Sequence, residues 1–163
     1  MTLIVNAAIN IHVSIGVALI AILIYFSSFS DYLYEITHNY DGPVEAIVTY
    51  LNQNGKKDDL VAITYGDLPV KFYTDMRVVG GLTGEDLSVA KEADWVIIRR
   101  HLICEKDRKV KEYLIQNISW NKYHAITLDC VDIPFENRAE PREHRYRTVT
   151  TGEKVTVFRK IQD

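Results

Sequence analysis

"LVAITYGDLPVKFYTDMRVVGG", residues 60–81, decides how the folded part of this chain reads. Leu60 to Thr64 is a short apolar run without alternation, the pattern of a strand covered on both faces. Tyr65-Gly66-Asp67 closes it. Asp67 is placed to cap a short helix over 68–75, with Pro69 in a first turn where its missing N–H costs nothing. Arg77-Val78-Val79 is a second brief strand, ended by Gly80-Gly81. Strand, helix and strand in one stretch are the unit of an α/β domain.

The same alternation continues outward on both sides. Upstream, Asp41-Gly42-Pro43 opens a helix, Val44, Ile47, Val48 and Leu51 recur on one face, and Asn54-Gly55 stops it. Downstream, Thr83-Gly84-Glu85-Asp86 resembles a capping box and predicts a helix to Ala93. Residues 94–99 (DWVIIR) form the clearest buried strand. A charged helix follows over 105–118, with Val110, Leu114 and Ile118 on one face. Strands are predicted over 121–128 and 153–160, the latter with Val155 and Val157 alternating. The expectation for 43–163 is a small Rossmann-like three-layer α/β domain with a mostly parallel sheet and right-handed crossovers.

Residues 1–30 have a different character. The chain holds 19 Lys and Arg and 22 Asp and Glu, and none of them precedes Asp31. From Ile11 to Phe29 the residues are nearly all aliphatic, Gly or Phe. About 20 such residues span a bilayer core of ~30 Å as a helix. Tyr25, Phe26, Phe29, Tyr32 and Tyr34 gather at one end, as rings do at a headgroup layer. The expectation is one transmembrane helix over 1–30, a juxtamembrane linker over 31–42, and a single-pass protein of the cell membrane with its C-terminal domain outside the cytoplasm. The orientation rests on the acidic C-terminal flank and the terminal amine. Two other readings stay open: a cleaved secretory signal ending at Ser28-x-Ser30, and a buried core helix.

The net charge of −3, with no strongly basic region, argues against a nucleic-acid protein. Two cysteines set no disulfide framework, and the histidines lack ligand spacing, so neither metal nor cofactor is expected. Cys104 and Cys130 both follow predicted strands, and a disulfide would need those strands to be neighbours. Gly80-Gly81-Leu82-Thr83-Gly84 matches neither phosphate-loop pattern and reads as a turn. Asn117-Ile118-Ser119 is a glycosylation sequon by pattern alone.

Ligands of open parallel sheets bind beyond the carboxyl ends of the strands. Those ends are Tyr65-Gly66-Asp67, Gly80-Gly81, Arg99-Arg100-His101 and the residues from Asp129 to Asp132. The same residues also suit tight turns, a helix cap and solvated arginines. The stretch 132–148, "DIPFENRAEPREHRYRT", combines prolines, aromatics, arginines and acids without periodicity, and is expected to pack on its own domain, a membrane surface or a partner.

"DYLYEITHNYDGPVEAIVTYLN" directly after the apolar head, then "VAITYGDLPVKFYTDMRVVGG", "ADWVIIRRH" and "DIPFENRAEPREHRYRT", resemble the C-terminal end of polytopic membrane glycosyltransferases similar to protein O-mannosyltransferases and aminoarabinose transferases. The resemblance covers the chain from the apolar helix onward. It implies a last membrane helix and an extracytoplasmic α/β domain beside enzymes that move a sugar from a polyprenyl-phosphate donor. Such catalysis needs several helices and an acidic first loop, and neither is here, so no catalytic residue carries over. The expected role is a membrane-tethered accessory domain, a fragment or split form that is not catalytic alone. Its expected partners are the bilayer, a multi-helix glycosyltransferase subunit, and an acceptor glycan or protein. Asp67, Arg99, Arg100, Asn137, Arg138 and His144 are the candidates for contacts to sugar hydroxyls or phosphate. The alternatives are a membrane-anchored module that binds a protein partner, and a small complete enzyme on a nucleotide-binding fold.

Overall fold

The computed structural model describes residues 2–26, 37, 42–102, 104–133 and 151–161. The chain divides into two compact units, one containing the N-terminal helix and the other containing the sheet.

The N-terminal helix α1 (Thr2–Phe26) forms over the uncharged head. Its side chains are described over 12–25, and those of Val13, Val17, Ile20 and Leu23 are exposed. Among the described residues no helix is long and apolar enough to cross a membrane, and the expectation of a transmembrane helix is corrected on that finding.

The second unit runs α2 (Pro43–Asn54), β1 (Leu60–Ile63), α3 (Asp67–Tyr73), β2 (Arg77–Val79), a 3₁₀ turn (Leu87–Glu92), β3 (Trp95–Ile97), α4 (Glu105–Asn117), a second 3₁₀ turn (Trp120–Lys122), β4 (Tyr123–Val131) and β5 (Lys154–Lys160). α2 starts as expected, with Gly42 as N-cap and Pro43 in the first turn, and ends where the Gly55 amide donates to Leu51 O at 2.7 Å. The predicted helix reaching Ala93 is instead the 3₁₀ turn, and its cap is Asp86, whose Oδ1 accepts from the Ser88 amide at 2.9 Å. Those two hydrogen bonds from Ser88, one from its side chain and one from its backbone, hold the Asp86 carboxyl below its ordinary range.

The five strands form one sheet in the order β2-β1-β3-β5-β4. β1 pairs parallel with β2 and β3, placing Val61 opposite both Val78 and Trp95. β5 pairs antiparallel with β3 on one side and β4 on the other. The sheet is therefore mixed, which corrects the mostly parallel sheet read from the sequence. The cause lies where the chain re-enters. The Asp132 amide donates to Glu153 O at 2.8 Å, so the chain comes back on the edge at which β4 left it. A parallel strand would have to start from the opposite edge after a crossover, so β5 can only run backwards.

The three layers are as expected. On one face Ile47 and Leu51 of α2 and Val70 of α3 pack on Val61, Ile63, Trp95, Ile97 and Val157. On the other, Ala90 of the 3₁₀ turn and Val110 and Leu114 of α4 pack on Leu60, Ala62, Val79 and Val96. All four residues of β1 are buried, which accounts for its unbroken apolar run. Each fully buried aliphatic side chain contributes ~1.5–3 kcal/mol by leaving water. Trp95 is anchored as well as buried: its Nε1 donates to Asp59 Oδ2 at 2.9 Å, and the Arg159 guanidinium lies 4.9 Å from its ring centre.

Tyr123 ties the start of β4 to the loop before β3, its hydroxyl donating to Ala93 O at 2.5 Å. Burial first, then the charges of Asp94 and Glu92, push its phenol from 10.0 up to about 12. The neutral form is the one that folds. Its contribution is whole below pH 10.0 and is lost as the pH rises through about 12. In urea melts across that window, Tyr123→Phe should decline less steeply than wild type. Equal slopes would show that the phenol is no more protected folded than unfolded.

Candidate functional site at the carboxyl edge of the sheet

β1 leads to β2 on one side and, by way of β2, to β3 on the other, so the switch point lies between β1 and β3. The loop out of β1 turns at Gly66, whose φ of +91° favours a residue without Cβ, and a Cβ there would also press on Val44. This turn delivers Asp67 to the start of α3. Asp67 does not cap that helix, as the sequence suggested; Gly66 is the N-cap. Its side chain crosses to the β2 loop, where Oδ2 accepts from the Leu82 amide at 2.7 Å and the Thr83 amide at 2.8 Å. The same loop is closed by the Gly80 amide donating to Thr83 Oγ1 at 2.9 Å. Two adjacent backbone amides converging on one oxygen make an anion cradle, and the protein's own carboxylate fills it.

Arg99 follows β3. Its amide donates to Thr64 Oγ1 at 2.8 Å, which fixes the residue across the switch point. Its side chain is fully buried. Nε donates to Asp132 Oδ1 at 2.7 Å, Nη2 lies 2.7 Å from the same oxygen, and Nη2 also donates to Ile133 O at 3.2 Å. The Tyr65 ring sits beneath the guanidinium, 5.4 Å from Cζ. The second Asp132 oxygen accepts from the Arg100 amide at 2.6 Å. The Arg100 side chain turns outward to Glu153 at 2.9 Å, with both partners exposed.

Of the residues expected to contact a ligand, the structure thus brings Arg99 and Arg100 together on Asp132 and holds Asp67 apart on the β2 loop. Asn137, Arg138 and His144 lie outside the described residues, as does most of the 132–148 stretch. Asp132, Tyr65 and Thr83 were not singled out as ligand contacts, though each stands at the end of a strand or in its loop. The signal for Asp132 was there: an acid ending a strand whose edge also carries Arg99-Arg100. Cys104 and Cys130 are not joined. Cys104 is the N-cap of α4 and Cys130 lies in β4, and β5 separates β4 from β3, the strand before Cys104, so the neighbour condition for a disulfide is not met. Among the described residues no group of three or more His, Cys, Asp and Glu could hold a metal ion.

No family model, curated protein or solved structure matches the chain. Function must therefore be argued from the groups themselves. Asp67, Arg99 and Asp132 are all buried and all engaged with their own chain. As placed, they fasten the loops of β1, β2, β3 and β4 to one another. A general acid or base needs a path to the proton it moves. A buried carboxylate already accepting two amides or a guanidinium is a fastening.

Proposed function

We propose that this protein is a non-catalytic accessory domain of a polyprenyl-phosphate-sugar glycosyltransferase system, and that it acts by binding a multi-helix subunit. The observation that carries the reading is an exposed aromatic patch beside the carboxyl edge. Phe72 and Tyr73 of α3 are 79% and 62% exposed and their rings meet edge to face at 4.8 Å. Leu68 lies one turn before Phe72, and Leu82 is held next to Asp67 by its amide; both are exposed. Large aromatic and aliphatic side chains concentrate in the cores of protein interfaces, where loss of water stabilises association most. Asp67, Arg99 and Asp132 are turned inward, and the exposed charges of the edge, Arg100 with Glu153 and Lys71 with Glu85, are paired with each other beside the patch. α1 supports a partner of the same chemistry, since an exposed helix apolar on all sides needs apolar neighbours. The glycosyltransferase context itself comes from the sequence resemblance.

The test is co-purification of the full chain with the multi-helix enzyme from detergent-solubilised membranes. Phe72→Asp is expected to lower recovery at least ~10-fold, the effect of losing one central anchor of ~1.4 kcal/mol or more, with little change in folding. Sugar transfer by the purified chain alone would overturn the reading. So would recovery that ignores the substitution.

A further inference from the structure

The layer of α4 and the two 3₁₀ turns carries a charge opposite to that of the chain. Lys91, Lys106, Lys109, Lys111 and Lys122 belong to these elements and enter none of the ion pairs among the described residues. Arg108 is held by Glu105, and Lys160 next to the layer is held by Glu92. Asp107 is buried and accepts from the Cys104 amide, which leaves Glu112 as the exposed acid without such a partner in these elements. An excess of lysine thus collects on one side of a protein whose net charge is −3.

Within that field sits a small apolar cluster. Ile115, one turn beyond Lys111, is 52% exposed. Trp120 is tied to it by a hydrogen bond from Nε1 to Ile115 O at 3.4 Å and leans on Phe158 at 5.1 Å. Ile161, 51% exposed, is joined to the same turn by its amide donating to Lys122 O at 2.8 Å.

We propose that this face, with Lys111 one turn before Ile115 and Lys122 beside Trp120 and Ile161, rests on an anionic lipid surface. Charge complementarity selects the occupant. Lysine stems lie along apolar surface while their ammonium groups stay in the polar layer, and Trp and Ile reach the boundary beneath. The cations outside these ion pairs are all lysines, Lys122 among them lying in the field of Glu92. Lysine is a compact point charge suited to a diffuse field of headgroups, whereas pairing with particular carboxylates or phosphates on a protein favours the arginine fork. The face does not depend on the glycosyltransferase reading, because the α3 patch that carries that reading is built from other residues.

The experiment is co-sedimentation of the full chain with phosphatidylcholine vesicles, with and without phosphatidylglycerol. α1 has no charged residue, so it adds the same partition to both. The expected result is a gain of ~10-fold or more with phosphatidylglycerol that shrinks as salt is added. In K111Q/K122Q the gain should fall by ~10-fold while binding to phosphatidylcholine and thermal stability stay put. Equal binding to both vesicles, or a gain kept by the double variant, overturns the proposal. Lysine-dependent retention on immobilised polyglutamate without any lipid preference would also overturn it and assign the face to an acidic protein.

Discussion

Arg99→Met is expected to cost about 3–5 kcal/mol of folding free energy, the effect of stripping one partner from a buried ion pair. Arg99 and Asp132 lie at 0% and 5% side-chain exposure, 2.7 Å apart. Two charges taken out of water gain little net stability from each other, since the loss of hydration nearly cancels the attraction. Removing the guanidinium leaves that loss in place for Asp132 and takes away what offset it. The domain has only ~5–15 kcal/mol to lose, so the variant should sit near its limit. Asp132→Ala should be as severe, and it also leaves the Arg100 amide without its acceptor at 2.6 Å. The double variant Arg99→Met/Asp132→Ala should lose much less than the sum, because it strands no charge. Urea denaturation of the four proteins decides the matter. A single Arg99→Met change within ~1 kcal/mol of wild type, or strict additivity, would show that the pair is not a buried fastening.

The βαβ stretch was legible because its signals are local. An unbroken apolar run predicts a strand buried on both faces, and β1 is buried at all four positions. The i, i+4 spacing of Ile47 and Leu51 predicts the face that α2 buries. Strand direction left no such mark. The alternation of Val155 and Val157 is the same for either direction, and only long-range pairing with β3 and β4 sets β5 antiparallel. Residue types also pointed to this edge of the sheet, through Asp67 and Arg99, without showing that both have partners within the chain. Asp67 looked like a cap because caps act within a few residues, whereas its partners stand 15 and 16 residues on. Arg99 looked solvated because buried arginines are rare, and its partner lies 33 residues away. Distance along the chain hides exactly those contacts that turn a candidate binding group into an internal tie.

Asp67→Ala should cost about 2–3 kcal/mol, and the graded series around it tests whether the β2 loop is built as a cradle for that carboxylate. The substitution removes one oxygen that accepts from both the Leu82 and Thr83 amides. Each loses a charge-assisted bond, roughly twice as strong as a neutral one. The two groups are only part-buried, so water restores some of the loss. Asp67→Asn keeps an oxygen in reach of both amides without the charge, and should cost about half as much. Gly80 reports on the same contact from the other side. A Cβ built there would overlap the Asp67 side chain, whose nearest atom is its own Cβ and cannot swing away. Gly80→Ala is therefore expected to destabilise by more than the ~0.5 kcal/mol of an ordinary surface change. The overlap disappears only when Asp67 loses its Cβ. In the Asp67→Gly background, Gly80→Ala should be nearly neutral, a coupling of more than ~1 kcal/mol in the double-mutant cycle. If Asp67→Asn matches Asp67→Ala, charge plays no part in the cradle. If the cycle is additive, the close approach of Gly80 to Asp67 is not what holds the β2 loop against α3.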